Sequence, residues 1–403
     1  MNSGPRLHKN LVAAVIEALE TSFGKGYYAD KVIERILKRN PKWGSRDRGF
    51  IAENTYNMVR WWRLLWDLYG KETSLKRKEL YRLFGIWWQW QGYELPDWPQ
   101  FDTVRGLDLQ KRFDEIGDNL AIKESWPDWL AEVAESELGE QWPAIAKASN
   151  IPAEVFIRTN TLKTEREALL KELEAENCPA KPMEANDVGI VLEERKNTFR
   201  FKTFQSGFFE VQDGGSQMIA PYLEVKPGMR VIDACAGAGG KSLHLAALME
   251  NKGSIIAMDV EAWKLKELQK RARRNGAHNI ETRPIENAKS IKRLNASADR
   301  LLLDVPCSGT GVIKRNPDTK WKLRPEHLDR VRKIQADIIN DYSKMLKSGG
   351  KMVYATCSIL RSENEDQVEK FLAEHPEFKL IKDQRVDPSE WSDGFYMALL
   401  EKA

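Results

Sequence analysis

From about Gly228 onward the chain alternates short apolar runs with helical stretches, and that rhythm allows few folds. It is the pattern of βαβ units wound into a mainly parallel sheet. Strands are expected at residues 230–232, 254–258, 301–303 and 351–354, and each run ends at a residue with chemical character. These are Asp233, Asp259, Asp304 followed by Cys307, and Thr356 followed by Cys357. Ligands of open α/β sheets bind outside the carboxyl ends of the strands, so four such ends describe one site.

The chain has 403 residues, more than one ordinary domain needs, and two or three folding units are expected. Residues 7–69 carry helical spacing: Leu7, Leu11, Val15 and Leu19; then Val32, Ile33, Ile36 and Leu37 after a cap expected at Asp30; then Ile51, Thr55, Val59, Trp62, Trp66 and Tyr69 after Ser45. Eleven of the 14 tryptophans precede Pro143. Trp61, Trp62, Trp87, Trp88 and Trp90 could stack on bases, but they sit on the apolar stripes and are read as core. Between residues 156 and 212 the pattern becomes mixed, with extended runs at 155–158 and 188–192 around a helix expected at 164–177. The expected organisation is an all-α domain over 1–150, a small α+β subdomain over 151–222 and an α/β domain over 223–403.

Four cysteines, Cys178, Cys235, Cys307 and Cys357, are widely spaced with no CxxC pair, which argues against a disulfide framework. The five histidines show no finger-like pairing with cysteine, so no metal site is expected. No apolar run is long enough to span a bilayer, and the first residues do not read as a secretory signal. The expectation is a cytoplasmic monomer without membrane contact. Net charge is only +3, yet it is uneven. Up to Arg82, 17 Lys/Arg stand against 9 Asp/Glu; from Leu83 to Asn150 the ratio is 5 to 13. A basic first segment suits a module that approaches phosphates, while a solvated helical face is the plainer reading.

The loop 231–242, VIDACAGAGGKS, has glycines at 237, 239 and 240 before a helix expected near Lys241. Such a loop turns sharply and brings backbone close to a ligand at a helix amino end. A phosphate loop would need glycine at 235, where this chain has cysteine, and a full GxGxxG is absent. Asp259 lies 26 residues beyond Asp233, where an acid at the end of a second strand accepts bonds from two ribose hydroxyls. Loop and acid together point to an adenosine cofactor.

A lone cysteine at a strand end is usually packing. Two, in LLLDVPCSGTGV (301–312) and MVYATCS (352–358), face one cleft if their strands are neighbours. Cytosine chemistry would want them. Carbon 5 becomes nucleophilic only after a thiolate adds to carbon 6, and the carbon 5 proton must later leave so that the thiol departs. Asp304 can hydrogen-bond the base edge, and Lys241 or Lys314 are the lysines that could favour the thiolate.

These residues carry a family resemblance. VQDGGSQ (211–217), DACAGAGGKS, MDV, DVPCSGTGVIKRNPDTKW (304–321) and YATCS resemble the RsmB/Nop family of RNA 5-methylcytosine methyltransferases, over roughly residue 156 to the last. The resemblance implies a class I, Rossmann-like methyltransferase domain using S-adenosyl-L-methionine. Cys235, Ala236, Gly237, Ala238, Gly239, Gly240 and Lys241 match its cofactor cradle, Asp259 its ribose contact, and Asp304 an acid near methyl donor and base. It also implies that Cys357 attacks and that Cys307 serves product release. Two positions depart from the family pattern: Gly237-Ala238 stand where Ala-Pro is usual, and Asn287 stands where an aspartate touches the adenine. The segment SRDRGFIAENTYNMVRWW (45–62) resembles the NusB-like domain of bacterial members, which makes 16S ribosomal RNA the expected partner and the 151–222 subdomain a ferredoxin-like RNA-binding element. A transfer RNA substrate, a non-catalytic RNA-binding scaffold and a DNA cytosine methyltransferase using Cys307 are the alternatives.

Overall fold

A computed structural model describes residues 5–403, which form two compact units, one of residues up to Asn150 together with Asn316–Leu323 and one of Ile151–Arg315 with Arg324–Ala403. The first unit is helical. Its main helices are α1 (Lys9–Lys25), α2 (Ala29–Arg39), α3 (Ser45–Arg60), α4 (Trp62–Tyr69) and α5 (Arg77–Trp90). α1 buries Leu11, Val12, Val15, Ile16 and Leu19, spaced by turns of the helix, and stops at Gly26 in the left-handed conformation. The cap expected at Asp30 is wrong: Tyr28 precedes α2 and Asp30 lies in its first turn. The reason is tertiary, because the carboxylate of Asp318 accepts the Ala29 amide at 2.9 Å and leaves no local cap to supply. Trp62, Trp66, Trp87 and Trp88 are all buried, and Trp61 and Trp90 pack against the same core, so these rings are structural. Segment 316–323, which takes in the last third of the long family motif, belongs to this unit, and Trp321 packs against its core. The Lys320 ammonium is fully buried and donates to Arg60 O at 3.0 Å, Asn150 Oδ1 at 3.1 Å and Glu124 O at 3.4 Å. Burial pushes its pKa well below the usual lysine range.

The second unit carries two sheets. The smaller is antiparallel, with β1 (Val155–Thr159), β2 (Ala180–Pro182), β3 (Gly189–Leu192) and β4 (Phe209–Val211) in the order β2-β3-β1-β4. The helix Arg166–Ala175 buries Leu169 and Leu173 in a core shared with Ile157, Ile190 and Phe209.

The larger sheet has seven strands: β5 (Arg230–Asp233), β6 (Ser254–Asp259), β7 (Ile280–Pro284), β8 (Ala298–Asp304), β9 (Leu346–Thr356), β10 (Phe378–Val386) and β11 (Phe395–Lys402). Their order is β10-β11-β9-β8-β5-β6-β7. β5 to β9 pair in parallel, and β11 adds antiparallel pairs to β9 and β10. Leu301, Leu302 and Leu303 of β8 are fully buried on alternate faces, as a strand covered by helices on both sides requires. The chain begins the sheet at β5, runs out to β7 and returns as β8 on the other side of β5. The carboxyl ends of β5 and β8 therefore flank a topological switch point. No helix among the described residues is long and apolar enough to cross a membrane.

Candidate active site

The expected strand ends meet at this switch point. β8 pairs directly with β9, with Asp304 in register with Ala355, so the Pro-Cys and Thr-Cys turns leave adjacent strands. Their sulfurs lie 3.2 Å apart. The two turns are laced together, because Gly311 donates its amide to Cys357 O at 2.9 Å and accepts from Gly394 at 2.8 Å. A Cβ at Gly311 would sit 2.2 Å from Gly394 O and 2.8 Å from Cys357 O, so only glycine permits this approach.

Its hydrogen bond with Cys357 and its burial push the Cys307 thiol well above the usual cysteine range. Either sulfur can donate across the 3.2 Å contact. The Cys235 thiol is also driven well up, by burial and then by Asp233 and Asp304, which leaves it inert as a nucleophile.

Lys241 donates to Asp304 Oδ2 at 2.6 Å. Burial lowers the lysine pKa, but Asp304, Cys357 and Asp233 together outweigh it, so Lys241 is held charged above its ordinary range. Of the two lysines considered from the sequence, Lys241 therefore faces the thiols, and Lys314 does not serve in that way. Its ammonium donates to the carbonyls of Ser389 and Ser392. Asp233, which accepts from Ser242 Oγ at 2.6 Å, is buried and pushed up to about 7, first by burial and then by Asp304.

The glycine loop is tied at both ends. The Gly237 amide, at φ 53°, donates to Asp259 Oδ2 at 2.9 Å, and Arg271 donates to Ala238 O at 2.8 Å. Gly239 has φ 89°, and a Cβ there would meet Leu268 Cγ at 2.4 Å. The helix Gly240–Leu248 then starts with its free amides turned towards the loop. Cys235, Ala236, Gly237, Ala238, Gly240, Lys241 and Asp304 all line one cleft of about 450 Å³. Asp259 reaches this loop through Gly237, whereas Asn287 stands apart as the exposed cap of the helix Ala288–Lys292, accepting from Lys289 N at 2.9 Å.

Sequence reasoning missed two groups here. Arg315 bridges Asp213 at 2.7 Å and Asp393 at 2.6 Å in the wall of the same cleft. Burial and then Asp213 push Asp393 up to about 6. Glu363 lies fully buried behind the Cys307 turn. Asp213 and Arg315 fall inside the quoted motifs, so charge within those motifs was the available signal; nothing in the local sequence marks Glu363 as buried.

A parallel sheet with a glycine-rich turn after its first strand and an acid ending its second defines a class I methyltransferase. Comparisons with known proteins place it further. The family described as 16S rRNA methyltransferase RsmB/F matches residues 220–400, and a ferredoxin-like domain described as RsmF/B-like matches residues 126–198. "Probable ribosomal RNA small subunit methyltransferase B" of Bacillus subtilis is 36% identical over 66% of this chain and 61% of its own length. The Vibrio vulnificus protein of the same name, without "probable", is 33% identical over 73% of this chain and 70% of its own. A Synechocystis relative is 29% identical over 93% and 96%. The crystal structure of PH0851 superposes with a TM-score of 0.82 at 25% identity, covering 99% of this chain and all of that one. The chain belongs to the RsmB/F family and is an S-adenosylmethionine-dependent RNA methyltransferase.

The residues present fit that donor. Gly237 and Gly240 line the cleft with backbone alone, with open space beyond Gly237, the Asp259 carboxylate keeps lone pairs for hydroxyl donors, and the cleft lies within the roughly 300–1,000 Å³ usual for small-molecule sites.

Proposed function

We propose that the chain methylates carbon 5 of a cytosine in small-subunit ribosomal RNA, through a covalent bond between Cys357 and carbon 6 of the base. The observation that carries this reading is the pair of sulfurs 3.2 Å apart at the ends of adjacent strands, beside a lysine–aspartate pair. A methyltransferase acting on a nitrogen or oxygen has no need of two thiols; one acting on carbon 5 needs a soft nucleophile and a way to release it.

Cys357, 3.2 Å from the Cys307 sulfur and near the Lys241 ammonium, attacks as the thiolate. Its sulfur bonds carbon 6, and the 5,6 double-bond electrons move to carbon 5. Bound S-adenosylmethionine would supply its sulfonium methyl group to carbon 5 and leave as the neutral thioether S-adenosylhomocysteine. Asp304, oriented by Lys241, accepts from the base edge and holds the ring against the thiols. A general base then takes the carbon 5 proton, the C–H electrons re-form the 5,6 double bond and the Cys357 sulfur leaves as the thiolate, and Cys307 is placed to assist this release. Asp259 holds ribose hydroxyls of the donor. Asn287, as an exposed cap, contributes little to binding. We assign residues 1–150 to a NusB-like RNA-binding domain, 151–222 to a ferredoxin-like RNA-binding subdomain and 223–403 to catalysis. The names of the relatives support the ribosomal substrate, and the base would be turned out of its stack to reach the cleft.

The test is transfer of labelled methyl groups to total RNA lacking the modification, followed by digestion and mapping. Label recovered as 5-methylcytidine in small-subunit ribosomal RNA is expected. Label in transfer RNA would replace the substrate, and label on any other atom would overturn the mechanism.

A further inference from the structure

Behind the thiols lies a carboxylate that the proposed chemistry does not use. Glu363 has no exposed surface, and both of its oxygens accept the Ser308 amide, at 2.9 and 3.1 Å. Ser308 directly follows Cys307. The residues around it join the two cysteine turns. Ser308 Oγ meets Thr310 Oγ1 at 3.0 Å, and Thr310 Oγ1 meets Ser358 Oγ, next to Cys357, at 3.0 Å. Tyr354 donates to Glu363 O at 2.7 Å, Thr356 bonds Asn364 Oδ1 at 2.5 Å, and Asn364 returns a bond to Ser358 O at 3.0 Å.

An ionisable group is a costly choice for such a place. Burying a carboxylate costs several kcal/mol more in lost hydration than burying a neutral amide, so tying down a loop alone does not call for glutamate. A carboxylate does supply two acceptors and no donor, and both can converge on one amide. Burial raises the acid's pKa while the Ser308 amide and hydroxyls and the Arg332 charge lower it; Tyr354 and Cys307 are the other titratable groups facing it.

We infer that Glu363 is a positioning residue for Cys307: by gripping the amide that follows the thiol, from a turn covalently continuous with Cys357, it fixes the separation of the two sulfurs. The inference deepens the proposed function, since it takes Cys307 as the residue of release. A sulfur displaced by about 1 Å would still allow attack by Cys357 but would slow release.

The experiment compares full-length wild type, Glu363→Gln, Glu363→Asp and Cys307→Ala. Glu363→Gln is nearly isosteric but has one acceptor and adds a donor. We expect it to keep its thermal midpoint and cofactor Kd, to lose on the order of ten- to a hundredfold in kcat with KM for RNA unchanged, and to accumulate a denaturant-resistant protein–RNA adduct. Alkylation of Cys307 by iodoacetamide, resolved from the other cysteines by peptide mass spectrometry, should move to lower pH because a facing negative charge is gone. Glu363→Asp keeps the charge but shortens the reach and should recover part of kcat; if the glutamine variant does not fold, the kcat and adduct readouts of the aspartate variant carry the test. Unchanged kcat and an unchanged Cys307 alkylation profile in the folded variants would overturn the inference, even where Cys307→Ala traps adduct. A shifted profile together with no adduct in Cys307→Ala would uphold the positioning and overturn the release role instead.

Discussion

The thiol end and the adenosine end of the catalytic unit are built differently. Around Cys307 and Cys357 nearly every polar group is buried and tied: Ser308, Thr310, Thr356, Ser358, Glu363 and Asn364 are each at most 6% exposed. At the ends of β6 and β7 the chain opens to solvent, with Val260 at 68% and Trp263 at 65% exposure and Asn287 exposed. Under the proposed mechanism the difference follows from what each end would do. A covalent step requires reacting atoms held to within fractions of an ångström, which only an over-determined polar network provides. Holding a ribose requires one well-placed acid, and the rest of that surface can admit and release a ligand.

The comparison predicts a gradient of mutational effects. Cys357→Ala, at the tied end, should remove methyl transfer altogether while cofactor binding persists, measured by labelled transfer beside calorimetry with the donor. Substantial residual turnover would show that the network holds something other than the nucleophile. Asp259→Ala, at the margin between the two ends, should weaken cofactor binding by about 2 kcal/mol for lost bonds to a charged acceptor, roughly thirtyfold in Kd, with kcat at saturating donor little changed. Failure of Kd to move would take the ribose away from β6.

Asp233 gives a pH signature to the buried end. Its folded-state pKa of about 7 lies above the unfolded value of 3.8. Below about pH 4 both states hold the proton; between about 4 and 7 only the unfolded chain releases it, so stability falls as pH rises through that window and levels off above it. Asp233→Asn should flatten this slope in denaturant titrations, and an unaltered slope would mean another group supplies it. The smallest effect is expected at the open end. Asn287→Ala removes a helix cap worth about 1 kcal/mol and should change cofactor Kd by less than about threefold; a larger loss would make Asn287 an adenine contact after all.

What could be read in advance follows the same division. Four of the seven strands of the large sheet, β5, β6, β8 and β9, were legible as local apolar runs closed by polar residues, whereas β7, β10 and β11 were not, and the adjacency of β8 and β9 entered only as a condition that the fold supplies. Glu363 was not legible either, since its burial depends on a turn after β9 folding back on the turn after β8. The cap at Asp30 failed for a similar reason, the real partner being Asp318, 289 positions from Ala29 along the chain. Lys314 looked as suitable as Lys241 by position, but the carbonyls of Ser389 and Ser392 claim it. Asn287 departs from the family at a place the fold leaves exposed.

The central claim is that Cys357 bonds the base and Cys307 lets it go. Its most direct test is to incubate Cys307→Ala with unmodified small-subunit ribosomal RNA and S-adenosylmethionine, isolate the denaturant-resistant complex and identify the linked residue by mass spectrometry after digestion. The expected result is a methylated cytidine joined to the peptide bearing Cys357. A complex that forms instead with Cys357→Ala and is linked through Cys307, or no complex with either variant while methyl transfer proceeds, would contradict it.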